Sequence, residues 1–506
     1  MKRKFRILAT SDIHGFILPY NTSDKKEGNY SLCKVKKIID KYRDNNTLVI
    51  DNGDLIQGNP LTYYYNQIFK GEISPVTKIA NIIGYDYYNL GNHDFNFGIE
   101  ALNNHLNNVN GKFITNNIKV DNKEVSPLYH LHTFDNGVKV ALFGIVTDYL
   151  VRWEKKETLD HIEVLDSFKM AKKAVLEIRE NEKVDAIIGV YHGGFEKDIE
   201  SGEPTETITK ENRAYKICEE LKLDILVSGH QHRSISGKCL NTFVSQTAYM
   251  GSEVAMIDFD VDDRAGEVTL IQANSEKSQE VIDAHKDINA KYQDWLDTPL
   301  GHTDINLEVE DRFDARLNKH PAISFINQVQ LDKTNADFSG VALFNDAVGF
   351  KRDITMRDLV STYVYTNNLF KLEITGSVLK QYLERCAEYF MIENNQIVVN
   401  KRFTYPKVAH YNYDMVDGLD YTIDLSKPIG NRITSMIKDG KSIDMSQKYS
   451  LVISNYRAGG TSGFGCFADC KVIKEYQEDI VEVLADYILR HSDLKVNHKN
   501  NIKITK

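Results

Sequence analysis

Five short polar clusters carry the residue types that hold a divalent metal. They are Asp12-Ile13-His14 in "SDIHG", Asp54 in "DNGDLIQGNP", Asn92-His93 in "GNHDFNFG", His192 in "YHGG" and His230-Gln231-His232 in "SGHQH". Carboxylate, imidazole and amide oxygen together suit borderline ions such as Zn²⁺, Mn²⁺ or Co²⁺ better than Ca²⁺, which prefers oxygen alone. Each cluster also has an everyday reading. D-x-H recurs by chance, a lone histidine after a strand commonly sits at the surface, and Asn92-His93-Asp94 is ordinary turn composition. Five such clusters in order, each behind its own apolar run, argue for one metal-dependent centre.

The runs that must position them are "FRILAT", "TLVID", "YDYYNL", "VDAIIGVY" and "LDILVSG", with "VKVALFGIV" as a further strand. Between the first two, Leu32, Val35, Ile38, Ile39 and Tyr42 recur at a spacing that puts one apolar face on a helix. "PVTKIANIIG" and "SFKMAKKAVLEIRE" behave similarly. Strands alternating with helices predict an α/β layer structure, in which polar residues just past strand ends are where ligands collect. From 276 to 300 the pattern turns polar and helical and ends at Pro299 and Gly301, which reads as a linker helix between domains 1–275 and 301–506. The second domain opens with helical segments and later carries strand-like "YTIDL" and "YSLVIS", an α+β pattern.

At 506 residues the chain is long enough for two or three domains. A net charge of −10 argues against nucleic-acid backbone binding as the main task. No window approaches the roughly 18 apolar residues of a membrane span, and the apolar part of "MKRKFRILAT" is too short for a secretory signal. The six cysteines are scattered, with Cys466 and Cys470 the closest pair and read as free thiols. A reduced, cytoplasmic protein is expected.

The ordered set D-x-H, G-D-x-x, G-N-H-[DE], H and G-H-x-H resembles the calcineurin-like metallophosphoesterase family over roughly residues 5–260. The resemblance implies a four-layer α/β/β/α sandwich with a two-metal centre at one edge. Asp12, His14, Asp54 and His232 would hold one ion, and Asp54, Asn92, His192 and His230 the other, with Asp54 shared. Two ions so placed orient a phosphate, lower the pKa of the attacking water and stabilise an in-line transition state. His93, next to the ligand Asn92, would face the substrate as an imidazole able to donate to the oxyanion or leaving oxygen. In the 5′-nucleotidase branch an aspartate usually lies three residues on and orients that histidine. Here the position is Asn96, either orienting His93 through its amide or only shaping the loop, and Asp94 could substitute only by folding back.

"YNYDMVDGLDYTIDLSKPIGNRI" and "SNYRAGGTSGFG" look like the nucleotide-binding domain of 5′-nucleotidases. They are most similar to the 2′,3′-cyclic-nucleotide 2′-phosphodiesterase branch, which also tends to carry asparagine at position 96. The resemblance implies two aromatic rings sandwiching the nucleobase, with Tyr456 as one and Tyr413, or its rival Tyr411, as the other. Lys351, Arg352 and Arg357 offer positive charge for phosphate without a firm alignment. The expected activity is removal of phosphate from nucleoside 5′-monophosphates, opening of 2′,3′-cyclic nucleotides, or both. A nucleotide-sugar or dinucleotide pyrophosphatase on the same centre is the alternative, and no nucleic acid or membrane partner is expected. A non-enzymatic nucleotide binder would be missing ligands, and none of the set is missing.

Overall fold

Val140, Leu142, Ile188, Val190, Ile225 and Val227 alternate with Ala141, Phe143, Ile145, Ile187 and Leu226 along three neighbouring parallel strands. Alternate residues of a strand face opposite sides of its sheet, so the first set belongs to one core and the second to another. The structure is a computed structural model that describes residues 3–71, 73–206, 208–365, 367–491 and 493–506. Its contacts divide the chain into two units, Met1–Tyr292 and Gln293–Lys506.

In the first unit those strands lie in a six-stranded sheet, in the order Ile235–Cys239, Thr242–Gln246, Ile225–Ser228, Ala186–His192, Lys139–Val146, His130–Thr133. A second six-stranded sheet runs Ala265–Gln272, Glu253–Asp260, Lys4–Thr10, Thr47–Asp51, Tyr87–Tyr88, Lys112–Phe113. Ile7, Ala9, Leu48 and Ile50 of that sheet join Val140, Leu142, Val190 and Val227 in one buried core, so the sheets pack face to face. The helices Ser167–Asn181 and Ala214–Leu221 cover the outer face of one sheet through Ala174, Val175, Ile178 and Ile217. On the other side, helix Leu32–Tyr42 packs on strand Glu253–Asp260 and on helix Pro75–Ile83. The layers are helix, sheet, sheet, helix.

Local chemistry sets several of these boundaries. Pro75 opens its helix at the first position, where a missing N–H costs nothing, and Gly84 closes it at φ 79°. The "YDYYNL" run supplies a strand of only two residues, Tyr87–Tyr88. Its next residue, Asn89, turns its amide to Asn52 Oδ1 (3.0 Å) and Ile145 O (2.9 Å) and accepts from Thr115 Oγ1 (2.8 Å). The chain is thereby diverted toward the site.

Helix Gln279–Leu296 crosses the division between the units. Pro299, read as part of a helix end, instead opens the strand Pro299–Thr303. The second unit holds a five-stranded sheet in the order Asp414–Asp417, Phe338–Ala342, Lys448–Ser454, Asn368–Thr375, Lys471–Asp479. Helix Pro321–Thr334 packs on it. "YTIDL" enters a separate four-stranded sheet, paired with Ile433–Lys438 and Ile502–Thr505.

Candidate metal centre

Strands Lys4–Thr10, Thr47–Asp51 and Tyr87–Tyr88 run parallel, as do Ala186–His192 and Ile225–Ser228. Their polar clusters therefore emerge at the same ends of the two sheets. Five of the seven candidate ligands have left-handed backbone: Asp12 (φ 57°), His14 (52°), Asp54 (54°), His230 (72°) and His232 (56°). Such conformations cost a non-glycine residue on the order of 1–3 kcal/mol and persist only where surroundings enforce them. Glycine makes the enforcement possible at Gly91, where a Cβ would stand 2.2 Å from Asp54 Oδ1.

The turns bring two groups of side chains together. Asp12, His14 and His232 form one, and Asp54, His192 and His230 the other, with ligand atoms in each within 4.8 Å of one another. Asp54 Oδ2 lies 3.1 Å from His192 Nε2 and 3.9 Å from His14 Nε2, between the two groups. Asp12 Oδ1 lies 3.4 Å from His232 Nε2 and 4.0 Å from His192 Nε2. All of the carboxylates and most of the imidazoles here are buried.

The donor set fits a divalent cation. His14 Nδ1 faces Gln57 O at 2.8 Å and His192 Nδ1 faces Asn52 O at 2.6 Å. A carbonyl only accepts, so both Nδ1 atoms carry hydrogen and each Nε2 is turned inward. His192 Nε2 is 3.1 Å from Asp54 Oδ2 but not aligned for a hydrogen bond, and it is buried without a partner. Asn92 Oδ1 is likewise buried without a partner. His192 Nε2 of a neutral ring and Asp54 Oδ2 are two buried acceptors 3.1 Å apart, and they require positive charge between them. On the protein's own charges a proton supplies it. Burial disfavours imidazolium at His192, yet Asp54 and Asp12 outweigh that and push its pKa up to about 10. Burial likewise opposes ionisation of both carboxylates, but the facing imidazoles, His192 foremost, hold them below the usual carboxylate range. A divalent ion satisfies the same demand with two charges and saturates the orphaned oxygen of Asn92.

His93 begins a single 3₁₀ turn, His93–Phe95. Its backbone N–H donates to Asp54 Oδ1 (2.7 Å), and its Nδ1 faces Asn96 Oδ1 at 2.7 Å. Asn96 thus contacts the imidazole directly. Asp94 does not fold back toward it. Its carboxylate instead accepts the backbone N–H groups of Asp54, Leu55, Ile56 and Gly91 at 2.8–3.0 Å, pinning the Asp54 loop to the Asn92 loop.

Several neighbours escape sequence reasoning because nothing in their local spacing marks them. Glu211 Oε1 meets His230 Nε2 at 3.1 Å, Glu154 Oε2 accepts from Asn96 Nδ2 at 2.9 Å, and Trp153 stacks on His230 with centroids 5.5 Å apart. Tyr249 lies flat on His232 at 4.8 Å. In chain terms these contacts are long-range, and only the fold pairs them.

In the second unit the structure corrects one candidate. Tyr413 is fully buried, stacked on Tyr389 at 4.8 Å and met edge-on by Phe390, so its faces are not open to a base. It is a core residue. The rival Tyr411 is half-buried, near Tyr365. Tyr456 is half-buried too, with its hydroxyl on Ser462 Oγ at 2.9 Å. The two stretches are joined by Arg457, which is buried and donates to both oxygens of Asp414 (2.8 Å each) and to Tyr411 O (2.8 Å). Ser462 O in turn takes Nε and Nη2 of Arg385. Arg357 is held by Asp297 and Gln293 rather than presented for phosphate.

This geometry has relatives. Residues 5–234 match the calcineurin-like phosphoesterase family, and residues 299–469 match the 5′-nucleotidase C-terminal domain. A Staphylococcus aureus protein solved with α-ketoglutarate, and described as a candidate 5′-nucleotidase, shares 30% identity and a TM-score of 0.93, covering 99% of this chain and 100% of that one. The chain therefore belongs to the calcineurin-like phosphoesterases, in the group that carries a 5′-nucleotidase C-terminal domain. Among curated relatives, the trifunctional nucleotide phosphoesterase protein YfkN of Bacillus subtilis is 26% identical over 98% of this chain. This chain spans 38% of that protein's length. A Haemophilus influenzae 2′,3′-cyclic-nucleotide 2′-phosphodiesterase/3′-nucleotidase is 24% identical, over 96% of this chain and 85% of its own.

Proposed function

We propose that the protein is a two-metal phosphoesterase that hydrolyses nucleoside monophosphates and 2′,3′-cyclic nucleotides. The observation that carries this reading is the pair of adjacent side-chain groups, with Asp54 Oδ2 reaching from one toward His14 of the other and His93 beside them, in a chain whose curated relatives are named for these activities. Asp12, His14, Asp54 and His232 would hold one ion and Asp54, Asn92, His192 and His230 the other. Bound there, divalent ions supply Lewis acidity and an activated water at neutral pH.

The protein's own residues do the rest. Nδ1–H bonds to Gln57 O and Asn52 O hold the rings of His14 and His192 at fixed angles, so no reorganisation is needed at the moment of reaction. Asp94 locks two of the loops together, which keeps His93 and Asp54 in register. His93, with Nδ1 held by Asn96, presents its other nitrogen for exchange with a phosphoryl or leaving oxygen. Tyr456 and Tyr411 are the candidates for base stacking, which tolerates different bases.

Manganese, zinc or cobalt suits the donor set. A cytoplasmic location belongs to the same proposal, rests on the scattered cysteines, and is tested by cell fractionation. The function itself is tested by chromatography of the nucleotide and nucleoside products, with inorganic phosphate measured alongside, in added Mn²⁺ across nucleoside 5′- and 3′-monophosphates, 2′,3′-cyclic nucleotides, nucleotide sugars and NAD. Hydrolysis of the first three above an aryl phosphate supports the reading. Activity confined to the last two makes the enzyme a pyrophosphatase.

A further inference from the structure

The carboxylate that an aspartate at position 96 would bring to the catalytic loop is present one hydrogen bond further away. Asn96 Oδ1 faces His93 Nδ1 at 2.7 Å, and Asn96 Nδ2 donates to Glu154 Oε2 at 2.9 Å. The second oxygen of Glu154 accepts the backbone N–H of Lys155 at 2.8 Å. Asp94, the other carboxylate nearby, has its oxygens occupied by four backbone N–H groups. Residues 96 and 154 leave different sheets: the first follows strand Tyr87–Tyr88, the second follows strand Lys139–Val146 and the short 3₁₀ turn Asp148–Arg152. The second segment is anchored at the site independently, because Trp153 stacks on His230.

An asparagine amide is nearly symmetric in shape, and its oxygen and nitrogen exchange places by a half-turn about χ2. Left to itself, Asn96 could offer His93 either an acceptor or a donor. A carboxylate can only accept, so Glu154 selects the rotamer with NH₂ toward itself and Oδ1 toward the imidazole. Oδ1 then requires the hydrogen on Nδ1, which leaves Nε2, the nitrogen away from Asn96, without hydrogen in the neutral ring. The reversed amide would point N–H at Nδ1 and move the ring's hydrogen to Nε2. We infer that Glu154 is a positioning residue, acting through Asn96 to set which nitrogen of the His93 ring carries the hydrogen, and so whether Nε2 meets the reacting phosphate as an acceptor or a donor.

The inference rests on His93 acting on substrate, and the test separates the two. His93→Ala retaining wild-type kcat would remove the underlying reading. With His93→Ala impaired, the remaining variants judge Glu154 alone, each assayed with Mn²⁺ for kcat, KM and bound metal. Glu154→Ala frees the amide and is expected to lower kcat about 10-fold, with KM and metal content within about 2-fold of wild type. Asn96→Asp alone sets two carboxylates face to face and is expected to lose at least about 10-fold in kcat. The double variant Asn96→Asp/Glu154→Gln restores one acceptor and one donor, because the new aspartate accepts from both the imidazole and the glutamine. It is expected to recover to within about 3-fold of wild type, a coupling of opposite sign to the single effects. A residue that merely supports the loop would not produce that recovery. A double variant no better than Asn96→Asp, or unchanged kcat in Glu154→Ala, overturns the proposal. Should Glu154→Ala fail to fold, the comparison of Asn96→Asp with the double variant still decides it.

Discussion

Asp54 is the residue on which most of the contacts at the candidate centre converge. One of its oxygens lies between the two ligand groups, and the other accepts the N–H of His93. In the proposed ligand sets Asp54 serves both ions, so Asp54→Ala is expected to lose both by elemental analysis. Retention of one full equivalent would mean that the groups bind independently. His93 is held differently. Its backbone serves Asp54, while its ring is committed to Asn96. His93→Ala should therefore keep its metal while kcat falls by about 10²–10⁴-fold, the usual range for a positioned acid or base. Loss of metal in this variant would make the ring a ligand instead. Asp94 is the residue whose role is easiest to misjudge from its position. It sits beside His93 yet works on backbone, as the four N–H groups it accepts make plain.

Single elements carry two further expectations. Helix Gly98–Asn108 buries His105 against Tyr88 and Phe113, with Nδ1 on Thr77 Oγ1 at 2.9 Å. Burial alone pushes its pKa down to about 3 from 6.5. The unfolded chain then binds a proton that the folded chain refuses, throughout the window between those values. Stability is lost as pH falls from about 6.5 toward 3, at up to roughly 1.4 kcal/mol per pH unit from this group. His105→Gln should flatten that part of a chemical-denaturation profile across pH, and an unchanged slope would assign the acid sensitivity elsewhere. The two tyrosines separate by burial. Tyr456→Ala should cost about 5- to 150-fold in kcat/KM for a nucleotide and little for an aryl phosphate, since only the first has a base to stack. Tyr413→Ala should instead destabilise the protein by about 3–5 kcal/mol, read from denaturant midpoints. Equal kinetic losses on both substrates for Tyr456→Ala would place it with Tyr413 in the scaffold.

At the scale of the whole molecule, each unit has its own core and its own candidate binding chemistry. Ion binding should act on stability through the first unit, because its carboxylates and imidazoles repay their desolvation only around positive charge. For a site at about 100 times its Kd, linkage gives about 2.7 kcal/mol, or roughly 4–5 °C in Tm for a unit of this size. Calorimetry of the full chain with Mn²⁺ against chelator should show that rise, and Asp54→Ala should abolish it. A rise that persists in Asp54→Ala would locate the ion elsewhere. Among the described residues no helix is long and apolar enough to cross a membrane.

The amino-acid sequence by itself determined the layer pattern and the candidate ligand types. Near-continuous apolar runs such as "VKVALFGIV" specify a strand buried on both faces, and the polar residues behind five apolar runs are chemically few: aspartate, histidine and asparagine. Local signals sufficed for these because strand, turn and ligand lie within a few residues of each other. Tertiary structure decided what depends on distance across the chain. It set Asp54 Oδ2 between two groups drawn from both sheets. It paired Asn96 with Glu154, separated by 58 positions, and His230 with Glu211. Tyr413 and Tyr456 are alike as sequence, each an aromatic in a polar, glycine-bearing stretch. Only packing distinguishes them, since exposure is a property of what covers a ring, and the Tyr389 that covers Tyr413 comes from a different part of the fold.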